Sequence, residues 1–232
     1  MQSLHIMDKG TNMKQDQKEC LRCGTCCTSG GPALHSEDLH LVLEGGLPLT
    51  QLITIRAGEL AHNPLTNRLQ PVKRELVKIS GVGRKWNCCF FDPEEKGCTI
   101  YDKRPKACKA LKCWDTEDVE ELIEKDTISR LDIIEEDSPI RPFVIEHDKA
   151  FPCPEMITLM ERRSDDFPEG LEEMVNKEIE YRTKVVRNFD LSLGEELFYF
   201  GRPLFHLLVS IGADINEVDG RVLVSWPGNR DS

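Results

Sequence analysis

Cys20, Cys23, Cys26 and Cys27 lie within one stretch of eight residues. Thiols this dense converge on a point only when something holds them there, and the plainest holder is a soft metal. Cys88, Cys89, Cys98, Cys108 and Cys113 follow inside 26 residues, Cys153 stands apart, and nine of the ten cysteines precede Trp114. Thiolates select zinc, iron–sulfur clusters or copper(I) over magnesium and calcium. Cys20-x2-Cys23-x2-Cys26 is the opening spacing of a bacterial ferredoxin cluster motif, whose fourth ligand comes from elsewhere. A structural zinc site more often pairs two Cys-x2-Cys knuckles. The second knuckle is missing, because Cys88 to Cys98 and Cys108 to Cys113 have the wrong spacing. Spacing therefore favours an iron–sulfur cluster over zinc. A four-iron cubane held by Cys20, Cys23, Cys26 and a remote cysteine is one arrangement that it permits.

Dense cysteine can also signal a secreted disulfide scaffold, but such proteins are usually too short to build a core, whereas 232 residues can bury one unaided. Met1 to Gly10 carries Asp8 and Lys9 and has no apolar run of the kind a signal peptide needs. No stretch approaches the ~20 apolar residues that span a bilayer. The expectation is a cytoplasmic protein with reduced thiols and no membrane segment. A formal charge of −11 opposes general nucleic-acid binding. The densest basic stretch, Lys103-Arg104-Pro105-Lys106 through Lys109 and Lys112, is interleaved with cysteines. It reads as a solvated face whose cations also offset thiolate charge.

The elements that must position these thiols fall into three regions: a polar lead-in over 1–19, a cysteine-rich module over 20–114, and an acidic helical region over 115–232 packed on the same domain. Between the cysteine groups, Ser36 caps a helix with Leu39, Val42 and Leu43 on one face and Gly45-Gly46 as its stop. Leu49 to Leu60 reads as a second helix and Leu76 to Ile79 as a short strand. This insertion separates Cys27 from Cys88, so the two groups meet only through tertiary folding and the site staples the module. Further on, Thr116 caps a run through Val119, Leu122 and Ile123, and Pro154 opens another through Met156, Leu159 and Met160. The longest predicted helix runs from Pro168 to Phe189 with a stripe of Leu171, Val175, Ile179, Arg182, Val185 and Val186, and acids opposite. Glu195 to Gly212 reads as buried through Phe198, Tyr199, Phe200, Leu204, Phe205, Leu207 and Leu208, and Arg221 to Trp226 as a final strand. The fold class expected is α+β, mainly helical, a metal-stapled cysteine-rich module packed with C-terminal helices.

The ordered blocks Cys20-x2-Cys23-Gly24-x-Cys26-Cys27, Cys88-x-Phe90-Phe91-Asp92 and Gly97-Cys98-Thr99-Ile100-Tyr101-Asp102-x-Arg104-Pro105-x2-Cys108 resemble the CxxCxxCC family, also called YkgJ-type cysteine-cluster proteins. Ser36-Glu37-Asp38-Leu39 resembles the segment after that family's first cysteines. The resemblance covers Cys20 to Cys113 and implies zinc or iron chelation. Carried over position by position, it implies ligands at Cys20, Cys23, Cys26, Cys27, Cys88, Cys98 and Cys108, with Cys113 added and Cys153 outside. Cys89 stands where the family commonly has proline, and Lys109 where it has arginine. Tyr101, Arg104 and Pro105 read either as a layer around the site, with Arg104 donating to sulfur, or as a loop brace pairing with Asp92 or Asp102. His35 reads as a surface histidine with its own partner rather than a ligand. Trp86 and Trp114 bracket the second cysteine group as a hydrophobic jacket.

Seven or eight thiolates exceed one four-coordinate centre, so either two centres form or one centre keeps spare thiols beside it. Three function classes follow. The first is a metal-binding protein holding an iron–sulfur cluster or zinc in a structural, redox or iron-handling role. The second is a lysine N-methyltransferase-like enzyme, since the cysteine pattern also resembles that of flagellin lysine methylases. Against it, Gly81-Val82-Gly83 is too short for an S-adenosylmethionine signature. The third is a zinc-stabilised module whose acidic helices contact a protein partner.

Overall fold

The structure, a computed structural model, describes Gln17, Cys20 and residues 23–163 and 167–227. The lead-in expected over 1–19 lies outside the described residues except for Gln17. Helices and five small antiparallel ladders make the described chain α+β, with more helix than strand.

After a single 3₁₀ turn at Cys27–Ser29, the chain enters the first core as an extended segment and forms α1 (Leu39–Leu43). Gly45, at φ +77°, ends that helix as expected. A 3₁₀ turn at Ser36–Asp38 leads into it; His35, not Ser36, takes the cap position of that turn, and the Asp38 carboxylate accepts the His35 N–H at 3.0 Å. Ser36 instead donates to the Asp126 carboxylate.

The helix expected over Leu49 to Leu60 is absent. Leu49–Gln51 makes one 3₁₀ turn, and β1 (Leu52–Ile55) follows, then β2 (Leu60–Asn63). The physical reason is burial on every side: Leu52, Ile53, Thr54 and Ile55 are all buried, so the strand has no polar face to show alternation. A short continuous apolar run cannot be told from a helix segment by periodicity. β2 turns back into β3 (Arg68–Pro71), and β4 (Leu76–Ile79), the expected strand, pairs with β1 in the register Leu52 to Ile79.

β4 is the hub that positions the cysteines. On its free edge it accepts the chain that has just left the first cysteine group, with Leu34 N–H to Val77 O at 2.8 Å and Ile79 N–H to Pro32 O at 2.9 Å. Directly after it, β5 (Gly81–Val82) and β6 (Asn87–Cys88) form a hairpin that carries Cys88, and β7 (Phe91–Asp92) and β8 (Gly97–Cys98) form the next, carrying Cys98. α2 (Lys106–Ala110) carries Cys108, and α3 (Glu117–Glu120) closes this part of the chain.

Beyond it run α4 (Arg141–Ala150), α5 (Met156–Glu161), α6 (Leu171–Phe189), α7 (Leu193–Phe200) and α8 (Leu204–Ser210), and then the hairpin β9 (Asp214–Val218) and β10 (Arg221–Ser225). One core joins Leu34, Leu52, Val77, Ile79, Cys88 and Phe90 to Val144, Val185, Phe198 and Phe200. A second gathers Met156, Val175, Leu204, Leu207, Leu208 and Trp226. The α6 stripe holds at Leu171, Val175, Arg182 and Val185, but its full period includes Glu178, which is completely buried although acids were expected opposite. Glu178 accepts from His147 Nε2 at 3.1 Å, from Leu204 N–H at 2.7 Å and from Arg182 Nη1 at 3.4 Å, with Arg56 Nη2 at 3.9 Å. One carboxylate thereby ties α4, α6, the start of α8 and the chain after β1.

Candidate metal centre

The first cysteine loop is shaped by Gly24. Its φ of +74° lies in the left-handed region, and its missing side chain admits the Phe91 ring, which would stand 2.2 Å from a Cβ. The loop and the β7–β8 hairpin, with Cys98 directly across from Phe91, are thus pressed together at this point. We expect Gly24→Ala to cost about 1–2 kcal/mol for the left-handed backbone plus roughly 1–3 kcal/mol for overpacking. Gly83, at φ +68° with open space around it, is the control whose alanine variant bears the backbone cost alone. Equal melting of the two variants would show that the Phe91 contact contributes nothing.

A second tie comes from Asp38, which is buried. One carboxylate oxygen closes the turn at His35 and the other accepts Lys106 N–H at 2.7 Å, at the first residue of α2. Satisfying an orphan amide at a helix start with a carboxylate from another segment is favourable. Here it brings the Cys108 helix to the chain that follows Cys27. In the sequence Asp38 stood out only as part of the segment that resembles the one after the family's first cysteines.

These ties surround one cavity of about 700 Å³. Cys20, Cys23, Cys26, Cys27, Cys88, Cys98, Cys108 and Cys113 all line it, while Cys89 and Cys153 do not. Cys89 turns its thiol to the Gln51 carbonyl, and Cys153 lies against Gly58. Cys20, Cys23, Cys26 and Cys113 are exposed, Cys27, Cys98 and Cys108 partly buried, and Cys88 buried. Among the described residues no three of these side chains stand ready to grip a single ion.

The thiols feel one another electrically. Burial, then the neighbouring Cys26, Cys98 and Cys88, push Cys27 up to about 12. Burial, then Cys88, Cys98, Cys26 and Cys27, push Cys108 up to about 12. Burial likewise raises Cys26 and Cys98. Cys88 departs in the other direction, to about 7, because the Cys89 thiol and the Phe90 amide donate to it and the Lys78 ammonium stands near. Hydrogen bonds from Thr25 lower Cys23. Crowded thiols keep their protons until a cation replaces them, so metal binding here is proton release.

The surroundings suit a negatively charged thiolate centre. Arg104 lies 3.7 Å over the Tyr101 ring, lowers Cys98 by its charge, and keeps its Nε buried without a hydrogen bond. Asp92 accepts the amides of Glu94 and Glu95 in its own turn. His35 is buried, not on the surface, and its Nδ1 pairs with the Lys125 carbonyl at 3.0 Å, so it has its own partner as expected. Trp86 and Trp114 both line the cavity.

A cavity ringed by thiols, with cations beside it, is the mark of a protein that chelates soft metals. Residues 19–128 match the family model described as "CxxCxxCC: Putative zinc- or iron-chelating domain". No curated protein and no solved structure matches the chain. Among the described residues no helix is long and apolar enough to cross a membrane.

Proposed function

We propose that this protein holds an iron–sulfur cluster, in preference to zinc, through thiolates drawn from Cys20, Cys23, Cys26, Cys27, Cys88, Cys98, Cys108 and Cys113. The observation that carries the reading is the division of the ten cysteines, eight on one cavity and two away from it. Zinc and iron–sulfur centres both use soft donors. The preference for a cluster comes from the Cys-x2-Cys-x2-Cys opening, which offers three thiolates on one loop and leaves the fourth to a remote cysteine. A bound cluster supplies electron transfer or a structural cross-link; the chain's own residues supply the thiolates and offset their charge.

Cys20, Cys23 and Cys26 are exposed near Gly24, whereas Cys88, Cys98 and Cys108 sit on the β6 strand, the β8 strand and α2. Binding on this reading draws the loop onto a fixed floor, which accounts for thiols that line one cavity without yet converging. The decisive measurement is elemental analysis with an ultraviolet–visible spectrum on protein purified without oxygen and without an affinity metal column. Iron with acid-labile sulfide supports the cluster. Stoichiometric zinc without colour overturns it in favour of a structural zinc staple.

Binding energy at such a centre is also folding energy. Under reducing conditions, a chelator should lower the melting temperature by several degrees, a 1 kcal/mol loss being worth about 2–4 °C at this chain length. Unchanged melting after verified metal removal would show that the centre does not staple the fold.

A further inference from the structure

The eight cysteines occupy only part of the cavity wall. Much of the remainder is apolar, contributed by Ile55, Leu60, Leu76, Val119, Leu122 and Ile123. A volume of about 700 Å³ is far more than one metal centre needs and lies within the ~300–1,000 Å³ of small-molecule sites.

Lys78 projects into this space from the middle of β4, between the buried Val77 and Ile79. Its side chain is half-buried and has no hydrogen bond or carboxylate partner among the described residues; the acidic group near it is the Cys88 thiol. Of the other charged groups on the wall, Arg104 lies over the Tyr101 ring beside Cys98. Arg202 is held by the Glu59 carboxylate at 2.9 and 3.0 Å, and Glu124 by Lys73 at 3.3 Å. An ammonium partly withdrawn from water with no carboxylate to meet it is costly, and an anion entering the cavity is the group that would relieve it.

We propose that the cavity binds a small organic anion, its apolar body against Leu60, Leu76, Leu122 and Ile123 and its carboxylate on Lys78 Nζ, beside the thiol cluster. This reading shares a cavity with the metal centre but does not require the metal to be present. The competing explanation is that Lys78 serves only to offset thiolate charge, and the two differ in what binds.

The test is a titration of purified full-length protein with decanoate, followed by the fluorescence of Trp86 and Trp114 on the cavity wall and by displacement of the anionic dye anilinonaphthalene sulfonate. Decylamine serves as the cationic counterpart, and metal content is measured in parallel. Decanoate should bind below about 1 mM and decylamine should not. Lys78→Met should weaken decanoate at least tenfold. Leu122→Glu, on a half-buried position away from the cysteines, should abolish decanoate binding while leaving metal content unchanged. Cys23→Ser should leave decanoate affinity within threefold whatever it does to the metal, which separates this site from the metal reading. Equal decanoate affinity in Lys78→Met and wild type, or equal binding of decylamine, would overturn the proposal, and so would decanoate retained by Leu122→Glu.

Discussion

Cys23→Ser and Cys108→Ser should purify with little metal, whereas Cys89→Ser, with a hydroxyl that still donates to Cys88, and Cys153→Ser should match the wild type. The first pair line the common cavity from opposite segments, one on the exposed loop and one on α2; the second pair face the Gln51 carbonyl and Gly58 instead. Changing even a partner one layer beyond the ligands typically costs about 10–100-fold in metal affinity. Loss of a thiolate should cost at least the upper end of that range. Serine keeps the size and removes the soft donor, so a fold defect is not the expected cause. Circular dichroism on the same samples checks that point. Equal metal content in all four variants would contradict the ligand set, and metal lost from Cys89→Ser alone would move the centre to the other side of β6.

Glu178→Ala should be the most destabilising single change away from the cysteines, at about 3–5 kcal/mol, the cost of removing one partner from a buried ionic group. The alanine leaves Arg182, Arg56 and His147 facing a void and deprives Leu204 N–H of its acceptor. Arg56 is the most exposed to this loss in energetic terms, because its Nη2 has no hydrogen bond and relies on the ion pair. Chemical denaturation of the two proteins measures the difference directly. A value under about 1 kcal/mol, the usual range of an exposed pair, would mean that Glu178 is not a structural hub.

The same carboxylate predicts how stability varies with pH. Burial alone would raise its pKa, but the His147 hydrogen bond, the Arg182 and Arg56 charges and the Leu204 amide outweigh burial and hold it below the ordinary value. Asp148 follows the same pattern, with burial outweighed by His147 and Arg130. A depressed acid contributes stability that is fully present above the unfolded pKa, about 4 for carboxylates, and lost as pH falls through the folded value. The gap in stability between wild type and Glu178→Gln should therefore be widest near neutral pH and shrink below about pH 4. A gap independent of pH would assign the effect to shape, not charge.

Much of the candidate site was legible from spacing alone, because cysteine has few reasons to recur at short, ordered intervals. The thiol-rich blocks, the match to a zinc- or iron-chelating family model and the α+β character all follow from local pattern. So do the strand at Leu76–Ile79 and the helix ending at Phe189, where a single period dominates. β1 was hidden because its four residues are buried on both faces and carry no alternation. Glu178 was hidden because a charged residue on a helix reads as solvent-facing until the partners that meet it, His147 from α4 and Arg56 from beyond β1, are in place.

Asp38 shows the same limit: one carboxylate oxygen closes its own turn and the other serves a helix start 68 residues further on, a pairing that no local window contains. Residue types and intervals specify which donors exist and what metals they prefer, since that is a property of each side chain. Which donors share a cavity, what cations stand beside them and how much apolar wall is left over depend on contacts between distant segments. Those contacts exist only once the chain after the first cysteine group pairs with β4 and both groups face one cavity.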